Sequence, residues 1–475
     1  MKVNRKAVLI VIIAVALLAC TCIGIMHLPK SNNDSNMDTP DYDAVSVYTN
    51  AVSTVKALTN YSVTSGYAQS AMIDHEVFSF ESIQNQMIYG QGTDKMNALG
   101  TETITVGDHT VEFESSYVNG NAYLSADDKQ FHSPMSPDDF LTCKTPAVLL
   151  DPALYKNIHI SSGESGYTVC FSGATVPEKW AVPENAKLIS AAGTAFLDES
   201  LRLVESKYSL TYSLNDIYTR IVVASTIDYA GKAFTVPIRS DSTSVDNLDS
   251  IWLLEIACGY TMQADTVLSK INENILCQAY GDTRTQSTRV NMNAIGTNCV
   301  TSIRINTTLS NSGKADAATE KAQWIQYRDG KYQQSVDGGV PVEQAGISSD
   351  MMKAYCRDYF LSTLIQSKFI TAATRTESQN TYRFEYTASE SFAHQLCQSA
   401  SQILYQDPTL LFTVSEGFTV ESAVAFLEVD KHTALPVSSG ISCTISHIVG
   451  GFPYQLQYSI TQEYDLPSAA AARLK

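Results

Sequence analysis

At 475 residues the chain is too long for one ordinary hydrophobic core and long enough for two or three domains. A net charge of -17 at pH 7 sets it against polyanions, so nucleic acid is excluded as a partner. Charged residues make up only 17%, and Ser, Thr, Asn, Gln and 25 Tyr supply most polar positions, a mixture suited to a β-rich protein outside the cytoplasm.

The first predicted element is an export segment. Lys2, Arg5 and Lys6 precede an apolar run from Ala7 to Ala19 that continues through Cys20 to Met26. A basic start before an apolar core directs export, with the positive end held inside. Residues 1–28 are therefore read as a signal or membrane anchor. Leu17-Leu18-Ala19-Cys20 resembles a bacterial lipobox, which implies lipidation at Cys20. The same run approaches the ~20 residues that span a bilayer as an uncleaved helix. Both alternatives place the body outside, anchored to the bacterial cell membrane. Residues 29–43 are polar and acidic, and read as a flexible linker.

The body reads as two copies of one β-rich unit, residues 44–246 and 247–475. Each is expected to open with a helix. In the first copy Val45, Tyr48, Val52, Val55 and Leu58 form one apolar face; in the second the helix lies between Leu248 and Ile271. Alternation marks strands at Tyr208, Leu210, Tyr212, Leu214, and again at Tyr454, Leu456, Tyr458, Ile460. Gly107-Asp108, Asn119-Gly120 and Asp329-Gly330 are hairpin signals. Four segments recur in the same order: Tyr117-Val-Asn-Gly120 with Tyr327-Arg-Asp-Gly330, Tyr167–Phe171 with Tyr382–Tyr386, Ala195-Phe-Leu with Ala425-Phe-Leu, and Val236-Pro237 with Leu466-Pro467. The second copy adds a helix over Glu390–Tyr405, and Ser348 caps another carrying Met352, Tyr355, Tyr359 and Phe360.

A tether, an opening helix, Y-x-[N/D]-G hairpins and helices inserted between middle strands resemble the bacterial lipoprotein carriers of the LolA family and the related mycobacterial LppX-type lipoproteins. That resemblance implies an α+β class, with two tandem domains, each a curved antiparallel sheet (half-barrel) with helices packed on its concave face. It further implies lipid acyl chains as the cargo.

Chemistry is sparse. The eight body cysteines (Cys143, Cys170, Cys258, Cys277, Cys299, Cys356, Cys397, Cys443) show no C-x-x-C pair and are expected to be mostly buried free thiols, with room for one or two disulfides. Ser53-Thr-Val-Lys56 fits S-x-x-K, yet lacks the companion motifs and reads as helix surface. The histidines are isolated, with no H-x-H or H-E-x-x-H, and Gly90-Gln-Gly92 reads as a turn because a dinucleotide loop needs a third glycine. Asp34, Asp38, Asp41 and Asp43 do not follow a calcium loop. The expectation is a non-enzymatic, membrane-tethered binding protein without cofactor or metal, carrying a lipid, lipoprotein or other apolar ligand. The alternative is a cell-envelope interaction or scaffold module without a small-molecule ligand. A carrier requires a dry, apolar hollow, expected in at least one repeat and in the first before the second; a scaffold would have that space filled.

Overall fold

The computed structural model describes residues 43–73, 76–93, 95–106, 109–144, 157–163, 165–172, 186–214, 217–263, 267–279, 282–295, 300–311, 319–378, 381–404, 417–430, 436–449 and 451–465. The anchor, the linker before Asp43, Cys20, Cys299 and Leu466-Pro467 lie outside them. No helix among the described residues is long and apolar enough to cross a membrane.

Helix α1 (Ala44–Lys56) is capped by the Asp43 side chain, which accepts from the Val45 N–H at 3.2 Å. That start sets the phase of the helix. Ala44, Tyr48, Ala51, Val52 and Val55 turn inward, while Val45, expected on the apolar face, stands half exposed. Strands β1 (Asn60–Ile73), β2 (Glu76–Tyr89), β3 (Asn97–Val106), β4 (His109–Val118), β5 (Asn121–Ala126) and β6 (Lys129–Pro134) follow as a meander. After α2 (Pro137–Lys144) come β7 (Ile158–Gly163), β8 (Gly166–Ser172), β9 (Lys187–Leu197), β10 (Leu203–Leu214), β11 (Ile217–Asp228) and the short β12 (Thr243–Ser244). The meander closes with β11 against β1, giving one 12-stranded sheet, antiparallel except for the parallel pairing of β12 with β6.

The second half begins with α3 (Asp249–Gln263), then β13 (Val267–Ala279), β14 (Asp282–Ile295), β15 (Val300–Asn311), β16 (Thr319–Arg328), β17 (Lys331–Val336) and β18 (Val342–Gln344). Helix α4 (Ser349–Leu361) leads to β19 (Ile370–Glu377) and β20 (Thr381–Ala388). Helix α5 (Glu390–Leu404) precedes β21 (Thr419–Asp430), β22 (Pro436–Val449) and β23 (Phe452–Asp465). The resulting 11-stranded sheet repeats the strand order of the first, with β13–β18 in the places of β1–β6 and β19–β23 in those of β7–β11. Three of the four recurring segments fall in corresponding strands or hairpins. Asn119-Gly120 joins β4 to β5 and Asp329-Gly330 joins β16 to β17. In each turn both central residues have positive φ (52° and 76°; 52° and 74°), the conformation that two-residue hairpins demand.

The expected α+β class, with half-barrels carrying helices on a concave face, is overturned. Among the described residues the protein is mostly β, 62% strand and 18% helical, and its few helices form no such layer. The physical reason lies in strand length: runs of 10–14 residues rich in Ser, Thr, Tyr and Val build the sheets, while the described helices are only 8–15 residues long. The helices act singly instead. Helix α5 packs on β21, β22, β23, β13 and β14 through Ala393, Cys397, Ala400 and Leu404.

Helix α3 is apolar on nearly every side, Ser250 and Glu255 excepted, and its position explains why. It touches β3 and β4 of the first sheet as well as β19 and α4 of the second. Ile251, Leu253, Leu254, Ile256 and Ala257 are all buried, within one contiguous core drawn from both sheets. Main-chain contacts reinforce the join. The Asp246 N–H donates to the Ala373 carbonyl at 3.3 Å and Lys129 Nζ donates to the Ile370 carbonyl, while the Tyr386 hydroxyl, donating to the Ser250 carbonyl at 2.8 Å, fixes α3 to its own sheet.

Candidate functional site

Period-2 alternation sends every second residue of β10, β11, β1, β2, β3 and β4 to the buried face of the first sheet. On most strands those residues are Tyr, Val, Ile or Leu. Across the middle they are not. Register places Ser206, Ser225, Ser65, Gln84 and Glu102 side by side across five strands, ending at Phe113. The next row carries Gln86, Gly100 and Ser115, and Ser82 flanks Glu102 on the other side. A polar stripe thus crosses an otherwise apolar interior.

One end of the stripe is fully provided for. The Glu102 carboxylate, 6% exposed, accepts from Ser82 Oγ at 2.9 Å, from Gln84 Nε2 at 2.8 Å and from Trp252 Nε1 at 3.1 Å. Trp252 belongs to α3, so the helix of the second repeat supplies a donor to a buried carboxylate of the first. The other end is not provided for. Ser65 Oγ, Ser225 Oγ and Gln86 Oε1 are enclosed and have no protein hydrogen-bond partner among the described residues. A buried polar atom left without a partner costs about 1–3 kcal/mol, which sets these three atoms apart from the Glu102 end. Burial pushes the hydroxyls of Tyr61 and Tyr208 on the same strands up to about 12, so both stay neutral donors at physiological pH.

The second sheet has a different buried polar knot. Thr363 Oγ1 lies 2.6 Å from Ser439 Oγ and donates to Gln462 Oε1 at 2.8 Å, and Ser439 Oγ lies 2.9 Å from the Tyr464 hydroxyl. Nearby, Glu273 accepts from the Tyr458 hydroxyl at 3.1 Å, and burial raises its carboxyl above the usual range. These groups satisfy one another more completely than the first-sheet stripe, although Gln462 Nε2 and Ser269 Oγ remain without partners among the described residues.

Other sequence candidates scatter. Ser53 Oγ donates to the Thr49 carbonyl on the exposed side of α1, as a helix-surface residue does. His132 Nδ1 lies 2.9 Å from Ser242 Oγ, and His394 Nε2 3.2 Å from the Phe418 carbonyl; no group of His, Cys, Asp and Glu among the described residues could hold a metal. Gly90 and Gly92 sit at positive φ in the β2–β3 turn. A recess of about 500 Å³ is lined by Asp198, Arg202, Val204, Ile227, Asp228, Tyr229 and Ala230. It is open to solvent and partly polar, so it is not the dry hollow expected for a carrier.

The stripe itself escaped the sequence reading. Its one signal was Ser, Gln and Glu recurring at inward positions of strands whose neighbours are apolar.

Two large sheets with one repeated strand order define the class of this protein: a tandem β-sheet protein with a few short helices among the described residues. No known family model matches the chain, and no curated protein matches it. Solved structures show partial likeness. LprF from Mycobacterium bovis is 12% identical at a TM-score of 0.24, covering 41% of this chain and 96% of LprF. A DUF1329 family protein from Desulfovibrio piger is 10% identical at 0.17, over 40% of this chain and 93% of its own. An AttH protein from Nitrosomonas europaea is 6% identical at 0.14, over 91% of this chain and 98% of its own.

Proposed function

We propose that this chain is a non-enzymatic binding protein, tethered to the bacterial membrane and working outside the cytoplasm, that holds an amphiphilic ligand against the first sheet. The observation that carries this reading is the set of enclosed atoms without protein partners: Ser65 Oγ, Ser225 Oγ and Gln86 Oε1. The two serine hydroxyls can donate to the ester or headgroup oxygens of a lipid, and Gln86 Oε1 can accept from a headgroup hydroxyl or ammonium, beside the apolar Val63, Ile88 and Ile227. The export segment supports the location.

The test is native mass spectrometry on residues from Asn32 onward, made without detergent in a bacterial host. A bound lipid-sized mass is expected in the parent and reduced in a Ser65→Val, Gln86→Leu variant. A ligand-free mass in the parent rejects the carrier.

A second reading, an envelope interaction module, is favoured by one edge. In the first sheet the outer side of β6 is covered by β12. The corresponding β18 pairs only with β17 among the described residues, and Val336, Val340 and Val342 beside it are exposed. An uncovered edge with apolar side chains can accept a strand from another protein.

A further inference from the structure

Cys397 lies on the buried face of α5, and Cys443 on the inward face of β22, where Ile441 and Ile445 flank it. Because α5 packs across β21 to β23, the two sulfurs meet at 3.3 Å, both fully enclosed. One turn earlier in the helix, the Ala393 carbonyl accepts from Cys443 Sγ at 3.7 Å, which holds that side chain toward α5. A disulfide requires about 2.05 Å, so the remaining gap of about 1.3 Å is within small χ1 adjustments of two side chains that already point at each other.

We propose that Cys397 and Cys443 form a structural disulfide that staples α5 to the second sheet as the protein folds outside the cytoplasm. The proposal rests on the proposed location only for its oxidant and is independent of the ligand reading. The oxidant is a disulfide R–S–S–R, the class such compartments supply. The Cys443 thiolate attacks one sulfur of R–S–S–R, forming a mixed disulfide and expelling R–S⁻. Cys397 then loses its proton and attacks the Cys443 sulfur, expelling the second R–S⁻. Two protein thiols are oxidised, one R–S–S–R is reduced to two R–SH, and the two protons end on those thiols. Both residues are enclosed once α5 is seated, so the exchange belongs to folding rather than to the finished molecule.

The experiment is peptide mapping of the full chain, taken from its host by lysis in denaturant with a thiol-blocking maleimide present throughout. The expected result is a linked peptide pair containing Cys397 and Cys443, lighter by two hydrogens than the free thiols and labelled only after reduction. Labelling of both cysteines without reduction overturns the proposal. A second arm reads stability. Reductant is expected to lower the melting midpoint of the parent by several degrees and to leave Cys443→Ala unmoved. A parent midpoint indifferent to reductant counts against the staple. If Cys443→Ala does not fold, the peptide map of the parent decides. A ligand-free but cross-linked protein would reject the carrier reading alone.

Discussion

The contact between Trp252 and Glu102 tests whether α3 ties the two repeats together. The perturbation is Trp252→Phe, which keeps an aromatic ring in the half-buried site and removes the Nε1–H that Glu102 accepts at 3.1 Å. Glu102 is 6% exposed, and two donors, Ser82 and Gln84, remain after the change. A hydrogen bond to a charged group is worth about 1.5–3 kcal/mol, and two surviving donors place the loss toward the lower end. Lost ring area adds to the raw effect, so the cleaner quantity comes from a double-mutant cycle with Glu102→Met, which removes the acceptor. The coupling expected from urea unfolding is about 1–2 kcal/mol. Because the core is contiguous across both sheets, the loss should also appear in a single transition rather than in one half. Additivity within about 0.3 kcal/mol, or two separate transitions of which only one moves, would refute the clamp.

A second prediction concerns pH. Glu255 on α3 is mostly buried, and desolvation raises its carboxyl above the ordinary 4.5, against the opposing hydrogen bond from Ser367. The native state then keeps a proton that the unfolded chain has lost, so stability falls as pH rises from about 4.5 through the folded pKa and levels off above it. Glu255→Gln should match the parent below about pH 4 and exceed it at neutral pH in denaturant titrations; parallel curves would show that desolvation does not govern this site. For the tether, protease added to intact cells should release a fragment beginning between Asn32 and Asp43, and protection until the membrane is broken would show an internal location. Cys20→Ala separates the anchors, since a lipoprotein loses its lipid mass and processing while a spanning helix keeps its mobility.

Local features of this protein were legible in the chain itself. Asn119-Gly120 and Asp329-Gly330 form the tight hairpins their residue types require, because few other pairs accept positive φ at both central positions. Ser348 caps α4 by accepting from the Met351 N–H at 3.2 Å, and the helix expected over 390–405 is α5. The recurring segments anticipated a repeated strand order, since each copy must bury the same alternating face. Each of these depends on a few neighbouring residues and on the period of the backbone.

Only the tertiary structure decided the rest. The inserted helices were expected to form a layer, yet their shortness and the length of the strands gave a mostly β protein. Ser65 meets Ser225, and Glu102 meets Trp252, because β1 pairs with β11 and because α3 crosses to the sheet before its own. Cys397 meets Cys443 because α5 lies across β22. Strand register and helix docking are set by the summed burial of whole faces, and a slip of one residue would turn every one of these side chains to the opposite side. No local stretch of sequence carries that information, which is why the candidate site and the thiol pair are properties of the fold.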